Sequence, residues 1–505
     1  MFRATKNLPV AFLIILFAGI GGLHAQTNLA MRFINNTGYA DTNVFVTFQN
    51  AVSVPFAASY AGGTPVTFGG SNYVMSQSYS LQQIGAAGFQ ITNANSVGIF
   101  VSYGSPLTNT TAAPSFFPNS PGAAQRFQNF EITRITNAGG SPNLGGQGNL
   151  TAINYFTAPM TIRSYTGTNT GTNYLQQRGF NPGETAQSIG AGLAAASGNN
   201  TNAIIRDSNG EILRFIGPST FSSGTPYNSY SDYLQALHTS GQVTSIRNAN
   251  AFVAGVGTNS TNFNFQLNFS ATVSSNNTIT MAGDITTELT PNGGTNTTGP
   301  TFTNATVTLS GTNQAILDQI IYGQTVASFT NVTYGSGWTD FENYVATNGL
   351  GAQPVFTTTQ ALSIGEITSG LLMGFLGSTN TVSQYGATPL RDLFSDQWWQ
   401  LDPMVAFSGV QTNSDFFSEY SSVLYNASSN QVYSIPYSDR MGDGPLMQTV
   451  QFIGTNGAMT VDTWVVELGA PIPEARAALY LTATFVVFGA FMAWRKRRAR
   501  PALRS

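Results

Sequence analysis

Hydrophobic and polar residues alternate in short runs over the first third of the chain, and a period of two is the signature of half-buried strands. Between 28 and about 170 the runs are AMRFINN, NVFVTFQN, VGIFVSYG, FEITRIT, LTAINYF and MTIRSY. Glycine- and asparagine-rich turns separate them, as in a β-sandwich or barrel. From about 175 the alternation loosens, and helical patterns appear around Ser229–His238, Gln314–Ile321 and Ile364–Leu376. A polar strand-rich segment follows at 256–311, from FNFQLNFSATVSS to ATVTLSG. QVYSIPYSD and AMTVDTWVVEL then return to strands that end at Leu468 and are expected to rejoin the N-terminal sheet. No tandem repeat of fixed period is present, which argues against a propeller or β-helix.

The expected fold is therefore mainly β with an α/β insertion. Residues 26–175 form the first part of a β-domain, 176–425 a mixed α/β domain, and 426–470 the strands returning to the β-domain. The ends read as processing signals. Residues 1–25 have Arg3 and Lys6, an apolar run from Leu8 to Leu23 and a Leu-His-Ala cleavage site, the layout of a secretory signal peptide. Residues 471–505 carry Pro471-Ile-Pro473-Glu474, an apolar stretch from Ala477 to Trp494, and a basic cluster from Arg495 to Arg500. That stretch is long enough to span a bilayer, with the basic cluster holding the tail on the cytoplasmic side.

Setting both ends aside leaves ten arginines against 21 carboxylates in 26–470, a formal charge of −11 with no lysine and no cysteine. Without a basic patch to displace phosphate counterions, nucleic acid is excluded as a partner. His238, in YLQALHT, is the single histidine of this body. Multi-histidine zinc and thiolate chemistry are excluded with it, no cofactor is implied, and His238 reads as a surface or helix-end residue. Core burial, not disulfides, must stabilise the exported body.

One acid stands out. Glu131 is the only acidic residue between Asp41 and Glu184, and it lies in FQNFEITRIT between Phe130 and Ile132. Burial there would raise its pKa and make it suited to general-acid chemistry. Alternation places Glu131 and Thr133 on one face; Asn154, in the following NLTAINYFTAPMTI, is expected to point to the same polar face across a glycine-rich connector, SPNLGGQG. A structural alternative pairs Glu131 with Arg134 or Arg163.

An E-x-T strand followed by an N-x-T-type strand resembles glycoside hydrolase family 64, β-1,3-glucanases with a thaumatin-like half. VGIFVSYGSPL, SYSDYLQALHTSG, DQIIYG, IGEITSGLLMGFLG and FFSEYSSVLYNASSNQVYSIPYSDRMGDGP resemble further family segments in the same order, over roughly 28–470. The resemblance implies a thaumatin-like β-sandwich or barrel and a mixed α/β domain that together form a wide groove binding β-1,3-glucan. It also implies inverting hydrolysis, with a glutamate as acid and an aspartate as base. Glu131 matches the glutamate. The aspartate falls on Asn154, and an amide cannot take a proton from water at ordinary pH. A paired Asp-Asp appears as Ser438-Asp439, beside Tyr437, which with Thr133 would contact substrate. Asp207, Asp232 or Asp439 could supply the missing base. Failing that, the chain would be a catalytically impaired glucan-binding or matrix protein; burial of Glu131 and pairing with arginine would favour a purely structural surface β-protein.

The tail resembles a PEP-CTERM sorting signal, with Pro473-Glu474-Ala475 in place of Pro-Glu-Pro, which implies an exosortase partner. An ordinary C-terminal anchor helix is the alternative. Trp398-Trp399 could stack sugar rings, but adjacent tryptophans are more often core. Asp439-x-x-x-Asp443-Gly lacks the ligand spacing of a calcium loop.

Overall fold

In a computed structural model, residues 28–472 are described apart from 51–56, 61, 67–77, 108–122, 135–145, 167–171, 222–223, 248–250, 257–260, 291–296, 312, 324–331, 348–363, 403, 437–443 and 453–457. The expected signal peptide and, from 473 on, the expected tail lie outside the described residues. Among the described residues no helix is long and apolar enough to cross a membrane.

The fold is mainly β; apart from the short turns Asp41–Asn43 and Leu81–Ile84, the described helices lie in the middle and later parts of the chain. Its largest unit is a 12-stranded sheet whose main path runs through the strands Gln176–Gly179, Met160–Tyr165, Thr463–Gly469, Leu29–Asn36, Phe89–Tyr103, Arg126–Arg134, Gln147–Leu150 and Leu446–Gln448. The C-terminal strand Thr463–Gly469 pairs parallel with Leu29–Asn36 and antiparallel with Met160–Tyr165. The returning strand thus lies inside the N-terminal sheet. The two ends of the path approach each other through side chains: Gln448 N–H donates to Gln176 Oε1 at 3.0 Å, and Arg178 Nε donates to the Gly444 carbonyl at 2.7 Å. Side-chain bonds replace the missing ladder, and the sheet nearly closes into a barrel.

Met31, Phe89, Phe130, Ile132, Ile162, Trp464, Val466 and Leu468 fill the core of this sheet. Trp464 dictates a local choice of residue. A Cβ on Gly148 would lie 2.5 Å from the Trp464 ring and 2.4 Å from the Glu131 carbonyl oxygen. Glycine is required there by close approach, not by turn geometry. The stretch expected as a connector is in part a strand, Gln147–Leu150, paired with Arg126–Arg134.

The expected strand LTAINYF is not continuous. It leaves the main sheet after Leu150, bends at 153–154, and re-enters a separate three-stranded sheet as Tyr155–Phe156, paired with Ile212–Ile216. QVYSIPYSD forms no strand over its described residues, only a bridge between Tyr433 and Thr151. Its Pro436 has no N–H to give to a ladder.

The insertion holds a six-stranded antiparallel sheet built around Thr261–Val273, Ile279–Thr290 and Thr297–Leu309. Alternation gives it one apolar face. The helix Ser336–Thr347 covers that face, with Trp338 against Phe269 and Phe341 against Phe265 and Phe302. The helices Ser231–Thr239 and Gln314–Ile321, and helical residues 364–373, stand where the sequence pattern places them.

Gly148→Val is expected to destabilise the protein by about 1–3 kcal/mol, the usual cost of overpacking a filled core. The shift in urea midpoint at unchanged slope measures it.

Candidate functional site

Along Arg126–Arg134 the even positions Phe130, Ile132 and Arg134 face the interior and are buried. The odd positions grade from closed to open: Phe127 is buried, Asn129 and Thr133 are half-buried, and Glu131 is exposed. Glu131 stands in a cross-strand row that reads Gln49, Gly98, Glu131, Asn149, Leu446 over five strands. Gly98 has no side chain, and the Phe100 ring lies over its position, 3.3 Å from where a Cβ would stand. Thr133 Oγ1 accepts from the Ser96 N–H at 3.0 Å, at an irregularity in the neighbouring strand.

The expected burial of Glu131 is not found. Its apolar neighbours in sequence point into the core while its own side chain points out, so it does not meet the desolvation inferred from them. Nor does it form an ion pair among the described residues. Arg163 pairs instead with Glu467 at 2.9 Å. Arg134 faces the interior; burial lowers its pKa to about 10 and the charge of Asp462 opposes that shift.

Asn154 does not face Glu131 across a ladder; that position belongs to Asn149. Asn154 is exposed in the bend, where its carbonyl accepts from the Gly217 N–H at 2.8 Å and its Oδ1 from Ser219 Oγ at 3.3 Å. The expectation counted strand parity through residues that do not continue the strand. Asp207 sits in the turn before Glu211, near Arg126, five residues and roughly 17 Å along the strand from Glu131. Burial raises its pKa, but N–H groups of Glu211 and Asn209 outweigh that and lower it overall. Asp232 is exposed on the first turn of the helix Ser231–Thr239, with no described contact to the Glu131 face. Tyr437, Ser438, Asp439 and Asp443 lie outside the described residues.

His238 is exposed at the end of its helix, with Nδ1 3.0 Å from the Val273 carbonyl oxygen. Trp398 and Trp399 are core residues whose indole N–H groups donate to the Leu390 carbonyl and to Glu366.

The closed end of the face escaped sequence reasoning. There Phe100, Phe127, Tyr155, Leu213 and Ile216 form a second apolar cluster, so the three-stranded sheet packs on the same face that exposes Glu131. Arg214 is fully buried with its guanidinium 4.2 Å over the Phe127 ring, and it donates to the carbonyls of Ala123 and Gln125. Burial lowers its pKa to about 10, against the field of Tyr155. Arg126 and Glu211 form a neighbouring buried ion pair at 3.4 Å. The Tyr155 hydroxyl donates to Asn129 Oδ1 at 2.6 Å and joins this cluster to the open end. The one available signal was the alternation of ILRFI at 212–216, in which Arg214 reads as an outward residue.

In inverting hydrolysis one carboxyl protonates the leaving oxygen while the other takes a proton from the attacking water, so the two stand roughly 6.5–9.5 Å apart, a span that on a sheet covers adjacent strands and the next strand over. Those positions around Glu131 hold Gln49, Gly98, Phe100, Asn129, Thr133, Gln147, Asn149 and Leu446. None is acidic. The sheet presents one carboxylate with four amides and a hydroxyl around it and Phe100 and Leu446 as apolar members, a mixed surface that can meet both the hydroxyls and the apolar face of a polyhydroxyl ligand.

No family model matches the chain, and no curated protein matches it. Its fold is similar to that of three solved structures at low identity. One is a beta-1,3-glucanase domain (GH64) from Clostridium beijerinckii, 11% identical with a TM-score of 0.44 over 88% of this chain and 98% of that one. The second is a laminaripentaose-producing beta-1,3-glucanase in complex with laminaritetraose, 13% identical with a TM-score of 0.46 over 88% and 99%. The third is a GH family 64 laminaripentaose-producing beta-1,3-glucanase from Paenibacillus barengoltzii complexed with laminarihexaose, 12% identical with a TM-score of 0.43 over 88% and 75%.

A carboxyl with a raised pKa does exist, away from this face. Burial raises Asp318, against hydrogen bonds from Gln314 at 2.8 Å, the Tyr230 N–H at 3.0 Å, and Ser229. Its folded form keeps a proton that the unfolded chain loses near pH 3.9. This group's contribution to stability is therefore full below about pH 3.9 and falls as pH rises through the folded value. Asp318→Asn, which keeps an Oδ1 able to accept from Gln314 and the Tyr230 N–H, is expected to remove that slope and to be no less stable than wild type at pH 7. Urea midpoints across the pH range test it.

Proposed function

We propose that this chain binds β-1,3-glucan across the Glu131 face. The observation that carries the reading is an exposed carboxylate, without an ion pair among the described residues, with the amides of Gln49, Asn129 and Asn149 near it on the sheet. Gln49, Asn129, Asn149 and Thr133 supply neutral donors and acceptors for sugar hydroxyls, while Glu131 accepts strongly from them. The ordered resemblance of sequence segments to family 64 names the sugar. Export through the N-terminal leader, a membrane-anchored stage at the basic tail and removal of that tail by an exosortase-type enzyme complete the proposal. An intact mass for the mature protein still including the apolar stretch after Ala477 would remove the last step.

A second reading adds cleavage, with Glu131 as general acid. One observation favours it: the segment that carries Tyr437, Asp439 and Asp443 leads directly into Leu446, which pairs with Asn149 beside Glu131. Asp439 is then the base and Tyr437 a substrate contact.

Calorimetry with a soluble β-1,3-glucan separates these readings when combined with an assay for new reducing ends. Binding without turnover is expected, and Glu131→Ala weakens it about tenfold, the scale of one charge-assisted hydrogen bond. Absence of binding would sink the proposal. Turnover that vanishes in both Glu131→Gln and Asp439→Asn would establish the second reading; turnover surviving Glu131→Gln would take Glu131 out of the chemistry.

A further inference from the structure

Asn129 lies on the same face as Glu131, two residues and roughly 7 Å along the strand. Its Oδ1 accepts from the Tyr155 hydroxyl at 2.6 Å, and among the described residues its Nδ2 has no partner. A carboxamide carries its acceptor and its donors on opposite sides, so anchoring the oxygen fixes which side meets solvent. The anchor is rigid. Tyr155 is 3% exposed, packed among Phe100, Phe127 and Ile216, with its ring centroid 5.3 Å from that of Phe127. Burial raises the Tyr155 pKa, Arg214 opposes that, and Tyr103 and Glu131 add to it; the phenol stays a donor at any ordinary pH.

We propose that Asn129, held by Tyr155, is a ligand-binding residue that turns its N–H donors to the ligand and so selects a sugar hydroxyl able to accept beside Glu131. This rests on the β-1,3-glucan reading. Asn129 touches the ligand; Tyr155 is a positioning residue. A sugar seated there meets an acceptor in Glu131 and a fixed donor in Asn129, and that polarity distinguishes hydroxyl positions on the ring. Loss of the Tyr155 hydroxyl frees the amide to turn either way.

The test is calorimetric binding of a β-1,3-linked glucohexaose and its monodeoxy analogues to the protein. In wild type, one deoxy position is expected to cost about 3–10-fold in affinity, the scale of one neutral hydrogen bond. Asn129→Ala should lose a similar factor for the parent hexaose and become indifferent to that deoxy position. Tyr155→Phe keeps its ring in the apolar cluster; it should melt within a few degrees of wild type yet discriminate less among the analogues. If wild type binds but both variants keep its affinity and its deoxy profile, the inference fails while the glucan reading stands. Weaker binding with the deoxy profile intact would make the residues merely structural and also overturn it. Failure of wild type to bind the hexaose removes the glucan reading and this inference together.

Discussion

The parallel ladder between Leu29–Asn36 and Thr463–Gly469 is the constraint on which the rest of the molecule depends. It joins the two ends of the described chain, with Asn36 Nδ2 donating to Glu467 Oε1 at 2.7 Å across 431 residues of sequence. Closing so long a loop costs only slightly more entropy than closing a shorter one, because the cost grows with the logarithm of length. A whole α/β insertion can therefore hang from this sheet. The ladder also brings Trp464 beneath Gly148, and Gly148 sits in the strand that sets Asn149 opposite Glu131.

The Arg126–Arg134 strand serves two surroundings at once. Its even side chains from Phe130 to Arg134 are committed to the main core. Its odd side chains begin under the three-stranded sheet, where Phe127 is sealed by Arg214 and Tyr155, and are most open at Glu131. The transition falls at Asn129, whose oxygen is held by the closed side. A rigid element with one end packed gives side chains at its other end defined directions, as the proposed binding of a polysaccharide requires.

Much of the fold was legible. Alternation located Leu29–Asn36, Val44–Asn50 and Met160–Tyr165, and helical periodicity located Gln314–Ile321. Glu131 was also identified as facing away from Phe130 and Ile132, although the desolvation inferred from those neighbours was absent. The failures have local causes. Gly145-Gly146-Gln147-Gly148 reads as a loop because glycine ordinarily marks one, yet Gly148 is in a strand since Trp464 needs its space. Asn154 was placed by parity through Ile153, where the chain bends and changes sheets. Arg214 has no sequence signal of burial, because stacking on Phe127 and donation to two backbone carbonyls are tertiary compensations.

By itself the sequence determined that strands dominate, which residues alternate inward, and that one carboxylate stands alone over a long acid-free stretch. Those properties follow from period and composition, which are local. Tertiary structure decided that Glu131 is exposed, that Gly98 and Asn149 rather than a carboxylate flank it across the ladder, and that Asn129 is held by Tyr155. Register, partner choice and the covering of one end of a face depend on residues far apart in the chain. No window of sequence contains them.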